Sequence, residues 1–247
     1  MGQSQSPPQS ITRDPQAISV LSQSIAAVGG LQAILAVQDL TATGNITYFW
    51  ANQTVSGTVV IKELGLAHFR LDATLSDGVQ SWIMANGTSV ERRPDGSLSQ
   101  LPVQLTYKTA SFTFPFLQVL AALQDPSWDV SHAGSVTHNG RPAYDIRLQK
   151  TYPQTRDPLG LQSKASKSDI FIDSGSLLIL AVQSRTYGRN GRPTNAPHEL
   201  QYSNYQLVNG LQFPMTILDL IGGQQTSSIQ VSQVAFNQGL SDSDFLP

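Results

Sequence analysis

Alternating apolar and polar residues, broken by short turn signals, run through this chain from Leu40 onward. In the first stretch Ile46, Tyr48 and Trp50 fall on one side, with threonine and asparagine residues between them on the other. A β-strand points successive side chains to opposite faces, so this pattern is typical of a strand with one buried and one solvated face. The pattern predicts that most of the chain forms a β-sheet.

Turn signals between the alternating stretches favour antiparallel neighbours. They stand at Asp77-Gly78, Asn86-Gly87, Asn139-Gly140 and Asn209-Gly210, and such pairs fit the tight turns of β-hairpins. We count about ten or eleven strands in this series. The predicted fold class is mainly β (α+β), a strongly curved antiparallel sheet or unclosed β-barrel.

Two helical patterns interrupt the strands. Asp14 is an N-cap candidate for a helix over Pro15 to Val28, which the Gly29-Gly30 pair ends. A second apolar pattern at helical spacing predicts a helix over Phe112 to Leu123. Because helices cannot pair into a sheet, we expect both to cover its concave face, on the same side.

No linker or internal repeat divides the strands, so we predict a single domain over residues 14–247. Residues 1–13 are polar and contain prolines. A segment of this composition buries too little apolar surface to order itself. We therefore expect a disordered tail before the domain.

The composition excludes several function classes. Fifteen lysine and arginine residues against 17 acidic ones give a net charge of −2, so the chain lacks the basic field that would hold nucleic acid. No apolar run approaches the roughly 20 residues that span a bilayer, so no transmembrane segment is expected. The absence of cysteine excludes disulfides and thiolate sites and favours export. Since the first sixteen residues lack the features of a signal peptide, we expect a periplasmic or otherwise exported protein whose signal peptide has been removed.

No catalytic motif stands out. The sequence has no Gly-x-Ser-x-Gly elbow, phosphate loop, dinucleotide fingerprint or His-Glu-x-x-His motif. A hydrolase using Asp169 and Asp173 with Asp72 or Asp145 is the least favoured interpretation, because Asp173-Ser174-Gly175 is typical of a turn and Asp72 alternates with Phe69 and Leu71 on a solvated face. We expect no enzymatic activity, no catalytic residues, no metal and no cofactor. The four histidines are dispersed and are interpreted as solvated: His68, His132, His138 and His198.

The apolar side of the predicted strands is the most informative feature. If the sheet curls, this side, to which we also assign Ile83 and Leu180, lines a space that could take an apolar ligand. A fully packed core is the alternative, because buried aromatic residues usually belong to the core. The predicted ligand-binding residues face inward from strands or from the covering helix: Tyr48, Trp50, Phe69, Leu71, Phe116, Leu120 and Met215.

Short phrases spread along the chain carry a family resemblance. They are the helix after Asp14-Pro15, Gly57 to Lys62 before Phe69-Arg70-Leu71-Asp72, Asp77-Gly78 with Trp82, Asp169 to Asp173 with Leu177 to Leu180, Tyr202 to Tyr205, Val208 to Pro214, and Asn237 to Pro247. In order and content these phrases resemble a divergent member of the LolA/LolB-like superfamily, the periplasmic carriers and receptors of outer-membrane lipoproteins.

The resemblance implies an unclosed antiparallel barrel with helices over its opening and an apolar interior that receives acyl chains. One departure is Glu63, which stands where the carriers have a basic residue. Together with the apolar strand faces, the resemblance predicts a non-catalytic periplasmic protein that binds a lipid acyl chain or a lipoprotein and serves in transport. An envelope interaction or sensor module that has a packed interior and binds another protein is the alternative.

Overall fold

The computed structural model describes residues 11–50, 53–106 and 112–247, and most of these residues lie in one antiparallel sheet. The alternating stretches found in the sequence form its strands. The strands are β1 Asp39–Trp50, β2 Gln53–Leu64, β3 His68–Leu75, β4 Gly78–Ala85, β5 Thr88–Arg92, β6 Leu98–Leu101, β7 Trp128–His138, β8 Arg141–Lys150, β9 Ser168–Asp173, β10 Ile179–Tyr187, β11 Pro193–Val208, β12 Leu211–Ile221 and β13 Gln224–Phe236.

The order of the strands across the sheet is β6-β5-β4-β3-β2-β1-β13-β12-β11-β10-β9-β8-β7. The first strand therefore pairs with the last, and β6 and β7 form the two edges. The sheet is curved and, among the described strands, unclosed, as the sequence predicts. At Gly44 the β1–β13 register shifts, and a Cβ there would lie 2.1 Å from the Gln230 carbonyl oxygen. Only glycine permits this close approach of the two strands.

The sheet has two more strands than the largest number predicted. The alternating pattern weakens after Asn86-Gly87, where charged residues and Pro94 follow one another. Here the chain forms the short edge hairpin of β5 and β6. Strands of only five and four residues carry little hydrophobic pattern, which is why the sequence did not reveal them.

Five helices and one 3₁₀ helix accompany the sheet in the described part of the chain. None of these helices is long and apolar enough to cross a membrane. They are α1 Pro15–Val28, α2 Leu31–Leu35, α3 Val103–Thr106, α4 Phe116–Gln124, α5 Leu161–Ala165 and the 3₁₀ helix Asp242–Phe245.

Helix α1 matches its prediction. Asp14 caps it by accepting hydrogen bonds from the backbone N–H groups of Gln16 and Ala17. The second predicted helix was wrong at its start, since α4 begins at Phe116 rather than Phe112. Pro115 disfavours a helical conformation at the residue before it. Helices α1 and α4 pack together on the same side of the sheet, as predicted.

The boundary of the tail lies earlier than the sequence suggests. The Arg13 guanidinium donates to the carbonyl oxygens of Ala122 (2.9 Å) and Leu123 (3.0 Å) at the C-terminal end of α4. The Thr12 carbonyl oxygen accepts a hydrogen bond from the Val130 N–H of β7. A cation at a helix C-terminus satisfies carbonyl groups that have no partner within the helix. Residues 1–10 of the predicted tail lie outside the described residues.

One continuous hydrophobic core fills the space between the concave face, α1 and α4. Two residues assigned to this face by sequence are on the other one. Ile83 pairs with Arg70, which lies on the outer face. Leu180 belongs to a separate outer cluster with Phe171. Both are apolar residues on strands that bury part of their outer face. An assignment based on residue polarity alone therefore placed them on the wrong face of the sheet.

Replacing Leu120 with Ala should destabilise the protein more than replacing Leu35 with Ala. Leu120 lies in the core with 8% of its surface exposed, whereas Leu35 is 46% exposed. A cavity in the core should lower the free energy of unfolding by about 2–5 kcal/mol, against less than about 1 kcal/mol for the exposed leucine. Urea denaturation compares the two variants, and equal losses would contradict the assigned position of α4.

Candidate ligand-binding cavity on the concave face

The alternation of the strands sends a dense set of apolar side chains to the concave face. In β3 these are Phe69 and Leu71, and β4 places Met84 and Trp82 directly opposite them. On the other half of the sheet, β12 contributes Phe213, Met215 and Ile217. Because exposure of apolar surface to water is unfavourable, other parts of the chain have to cover this face.

Part of that cover is a segment of alternating phenylalanines, Phe112–Phe116, which we call the phenylalanine segment. Phe112 packs against Phe69 at 5.5 Å between ring centroids. Phe114 stacks on Phe213 at 5.6 Å. Both rings are almost fully buried. The phenylalanine segment therefore occupies the central part of the concave space.

Two buried polar side chains hold the backbone of this segment. Glu63 Oε1 accepts a hydrogen bond from the Thr113 N–H at 2.9 Å. The Tyr202 hydroxyl donates to the Phe112 carbonyl oxygen at 3.0 Å. Glu63 Oε2 is buried without a hydrogen-bond partner among the described residues. Burial raises the pKa of Glu63 from 4.5 to about 7, although the contact with Thr113 opposes the rise.

Beyond the phenylalanine segment, a cavity of about 260 Å³ remains on the concave side, which we call the mouth cavity. Both halves of the sheet contribute to it. Its walls are mainly apolar and aromatic, with a few charged groups. The side chains that matter here are Tyr48, Leu71, Trp82, Leu105, Glu91, Arg189, His198 and Asp219.

The charged groups of the mouth cavity are paired, one pair joining β5 to the loop before β11 and the other joining β11 to β12. Arg189 donates to both carboxylate oxygens of Glu91, at 2.9 and 2.7 Å. His198 Nε2 lies 3.0 Å from Asp219 Oδ1, and its Nδ1 lies 3.4 Å from the Ser184 hydroxyl. Both nitrogens of the imidazole have neighbours, so His198 holds Asp219 in place rather than presenting a free donor to a ligand.

The pKa of Tyr48 reflects the electrostatics of the mouth cavity. Burial, together with the negative charges of Asp219 and Glu91, raises the pKa of the Tyr48 phenol to about 12. The hydroxyl therefore remains protonated at physiological pH. It provides a neutral polar group among the apolar and charged side chains of the mouth cavity.

Comparison with solved structures identifies the fold. A domain from Vibrio parahaemolyticus named for outer membrane lipoprotein sorting aligns with a TM-score of 0.56 and 13% identity, over 93% of this chain and 96% of that one. A LolA superfamily protein from Nitrosomonas europaea aligns with a TM-score of 0.57 and 11% identity, over 93% and 97%. A DUF1329 family protein from Desulfovibrio piger aligns with a TM-score of 0.56 and 12% identity, over 95% and 98%.

The protein has a LolA-like fold. This agrees with the resemblance in the sequence, although the identities are low and the chain is divergent. The sequence itself matches no protein-family model and no curated protein. The likeness extends over nearly the whole chain and concerns the fold alone.

Within the LolA-like sheet, the predicted ligand-binding residues divide into two groups. Tyr48 and Leu71 line the mouth cavity, and Trp50 stacks on Tyr48 at 5.8 Å from a rim position with 46% of its surface exposed. Phe69, Leu120 and Met215 lie in the packed core behind or beside the phenylalanine segment. Phe116, also in the core, is the last residue of that segment and the first of α4.

Several residues of this site were not selected from the sequence. Trp82, Glu91 and Asp219 line the mouth cavity, although their sequence surroundings are ordinary for strands. Glu63 could have been found, because it continues the inward alternation of Val59 and Ile61. An acidic residue in that register signals a buried carboxyl group.

The interpretation of all four histidines as solvated was wrong, since His68 and His198 are buried and His132 and His138 are only partly exposed. His138 stacks on Phe171 at 3.8 Å between ring centroids, and its Nε2 lies 3.3 Å from Glu199 Oε1. His198 is 5% exposed and bonds to Asp219 within the sheet. His68 is 9% exposed and packs against Phe245 of the 3₁₀ helix. Their burial follows from tertiary partners distant in sequence. Asp173 does form the predicted turn, since its carboxylate accepts from the Ser176 N–H at 2.7 Å.

The described residues contain no group of three or more His, Asp or Glu side chains that could hold a metal ion. On the outer face Arg147 pairs with Asp169 at 2.7 Å, and burial together with the charge of Asp169 raises the pKa of the neighbouring Asp145. Asp169 and Asp173 are each paired with a neighbouring cation, the latter with Arg141 at 3.0 Å. This arrangement neutralises both carboxylates instead of aiming them at a common substrate.

The Glu63→Gln variant should alter how stability depends on pH. Because the pKa of Glu63 is raised in the folded state, its contribution to stability is full below about pH 4.5 and is lost as the pH rises through about 7. The wild type should lose about 3 kcal/mol that the variant retains, between about pH 5 and about pH 8. Denaturant titrations of both proteins across this range measure the difference. Parallel profiles would show that Glu63 is not a buried titrating group.

Proposed function

We propose that the protein is an exported, non-catalytic binding protein that takes one apolar chain of a lipid or lipoprotein on the concave face of its sheet. The observation that carries the proposal is the mouth cavity, whose apolar walls open at one end of the curved sheet. The proposal treats residues 14–247 as one domain that works without a cofactor.

The LolA-like fold supports this proposal. One structural neighbour is named for outer membrane lipoprotein sorting, and another as a member of the LolA superfamily. By extension, we propose a periplasmic location and a role in lipid or lipoprotein transport. The absence of a recognisable catalytic motif in the sequence is consistent with binding rather than with chemistry.

The volume of the mouth cavity limits how much of an apolar chain it can hold. At about 260 Å³ it lies just below the usual range of about 300–1,000 Å³ for small-molecule sites. The cavity therefore accepts the end of a chain, and a longer chain requires the phenylalanine segment to move. Each methylene group removed from water contributes about 0.8 kcal/mol, and a bound chain would have to offset the two hydrogen bonds that hold the segment and the burial of Phe112 and Phe114.

Movement of the phenylalanine segment would extend the site to the deeper predicted residues. Phe69 packs directly on Phe112, so displacement of that ring frees the Phe69 face for a ligand. Phe116, at the end of the segment, packs on Phe114 at 5.4 Å, so displacement of the Phe114 ring would uncover the Phe116 ring. Met215 and Leu120 belong to the same core and would complete the wall of a longer site. Trp50 would contact the ligand at the rim.

A protein-binding envelope module is the second candidate. The packed phenylalanine segment favours it, because most of the concave space is already filled by the chain's own side chains. In that case the surface rather than the interior would carry the function. The same binding experiment separates the two candidates.

A neutral single-chain lipid, decanoyl glycerol, should bind saturably with a dissociation constant in the micromolar range, about 1–100 μM. Tryptophan fluorescence should change on binding, because Trp82 lines the mouth cavity. The Leu71→Glu variant should lose binding, since a carboxylate would stand unpaired in the apolar wall. Fluorescence titration and calorimetry measure the affinity.

The matched control is Thr74→Glu, which adds the same charge to the exposed outer face of the same strand. It should bind like the wild type. Leu71→Phe fills the cavity without adding charge and should weaken binding with the fold intact, as circular dichroism would check. If the wild type does not bind the lipid, or if both glutamate variants bind equally, the concave site is refuted.

A further inference from the structure

A second pocket, of about 410 Å³, lies where the two ends of the open sheet approach each other. We call it the seam pocket. Met84 and Asn86 line it from β4 and the turn that follows, on one half of the sheet. Trp128 and Lys150 line it from β7 and β8, on the other half, and Ala121 of α4 lies between them. It is separate from the mouth cavity, with which it shares no lining residue.

The inner part of the seam pocket is apolar. Its wall includes Leu66, Met84, Ala121 and the indole ring of Trp128. Trp128 is 6% exposed, and its Nε1 has no acceptor in the part of the chain that the structure describes. The Trp128 ring therefore contributes to the apolar part of the wall.

The outer part of the pocket is positively charged. Lys150 Nζ lies 5.9 Å from the centroid of Trp128 and 5.3 Å from that of Tyr152. The Arg156 guanidinium lies over the same Tyr152 ring, at 5.4 Å. These cation–π contacts hold both cations at the entrance.

The charges at this entrance do not cancel. Asp125 pairs with Lys150 at 3.0 Å and also accepts a hydrogen bond from the Ser127 N–H. Two cations against one carboxylate leave a positive excess next to an apolar wall. The mouth cavity differs, because Glu91 and Asp219 there each already have a cationic or histidine partner.

We propose that the seam pocket binds an anionic amphiphile, with its phosphate or carboxylate group at Lys150 and Arg156 and the start of its chain against Met84 and Trp128. Charge-assisted hydrogen bonds to a phosphate or carboxylate are the strongest that these side chains form. The volume is within the usual range for a small-molecule site. This second site selects a negatively charged head group, for which the mouth cavity offers no unpaired cation, because its Arg189 already binds Glu91.

The test compares three probes by calorimetry on the full chain: decyl phosphate, neutral decanoyl glycerol and inorganic phosphate. Decyl phosphate should bind the wild type. In the Lys150→Met, Arg156→Gln double variant its affinity should fall at least about ten-fold, while decanoyl glycerol is unaffected. Lys164→Met with Lys167→Gln removes the same charge outside the seam pocket and should leave decyl phosphate binding unchanged.

A second variant tests the apolar part without altering charge. Ala121→Phe places a ring in the pocket and should weaken decyl phosphate binding while leaving the mouth cavity free. Inorganic phosphate should bind far more weakly than decyl phosphate. Equal affinity for the two would overturn the amphiphile in favour of a free-anion site, and a double variant that binds decyl phosphate like the wild type would overturn the site itself.

The outcome is independent of the proposed concave function. Leu71→Glu lies in the mouth cavity and should leave decyl phosphate binding at the seam intact. Failure of the seam proposal with retained binding of decanoyl glycerol would leave the concave site standing. Retained binding of decyl phosphate without any binding of decanoyl glycerol would support the seam pocket and refute the concave site.

Discussion

The pairing of the first strand with the last holds the rest of this structure together. Residues of β1 from Leu40 to Tyr48 pair with β13 from Phe236 back to Ser227, across nearly the whole length of the chain. This pairing leaves β6 and β7 as edges and joins the two halves of the sheet at its centre. Because the sheet curves and stays open, its apolar concave face has to be covered by elements from outside the sheet. Helices α1 and α4 and the phenylalanine segment provide that cover.

Much of the fold was predictable because local patterns agree with it. Period-two alternation with Asn-Gly and Asp-Gly turns gave the antiparallel order, and Asp14 with Pro15 gave the start of α1. The early start assigned to α4 has a local cause, since Phe112 and Phe114 share the apolar character of the helix but precede Pro115. The edge hairpin of β5 and β6 was missed because strands of only five and four residues carry almost no period.

The candidate site was less predictable, because its properties arise from distances that a sequence does not contain. Alternation identified Tyr48 and Leu71 as inward residues, and they line the cavity. It could not show that Phe112 and Phe114 would fill the space in front of Phe69. Nor could it pair His198 with Asp219, which lie on neighbouring strands 21 residues apart. Volume and pairing are tertiary properties, whereas alternation only assigns a face.

The most direct test of the account is to locate a bound chain by photo-crosslinking. A neutral acyl glycerol with a diazirine at the end of its chain would be bound to the wild type, irradiated, and mapped by peptide mass spectrometry. Labels are expected at Leu71, Trp82 or Tyr48, which are among the residues that line the mouth cavity. Labels confined to outer-face residues such as Phe171 or Leu180, or no specific label at all, would contradict the claim that the concave face is the binding site.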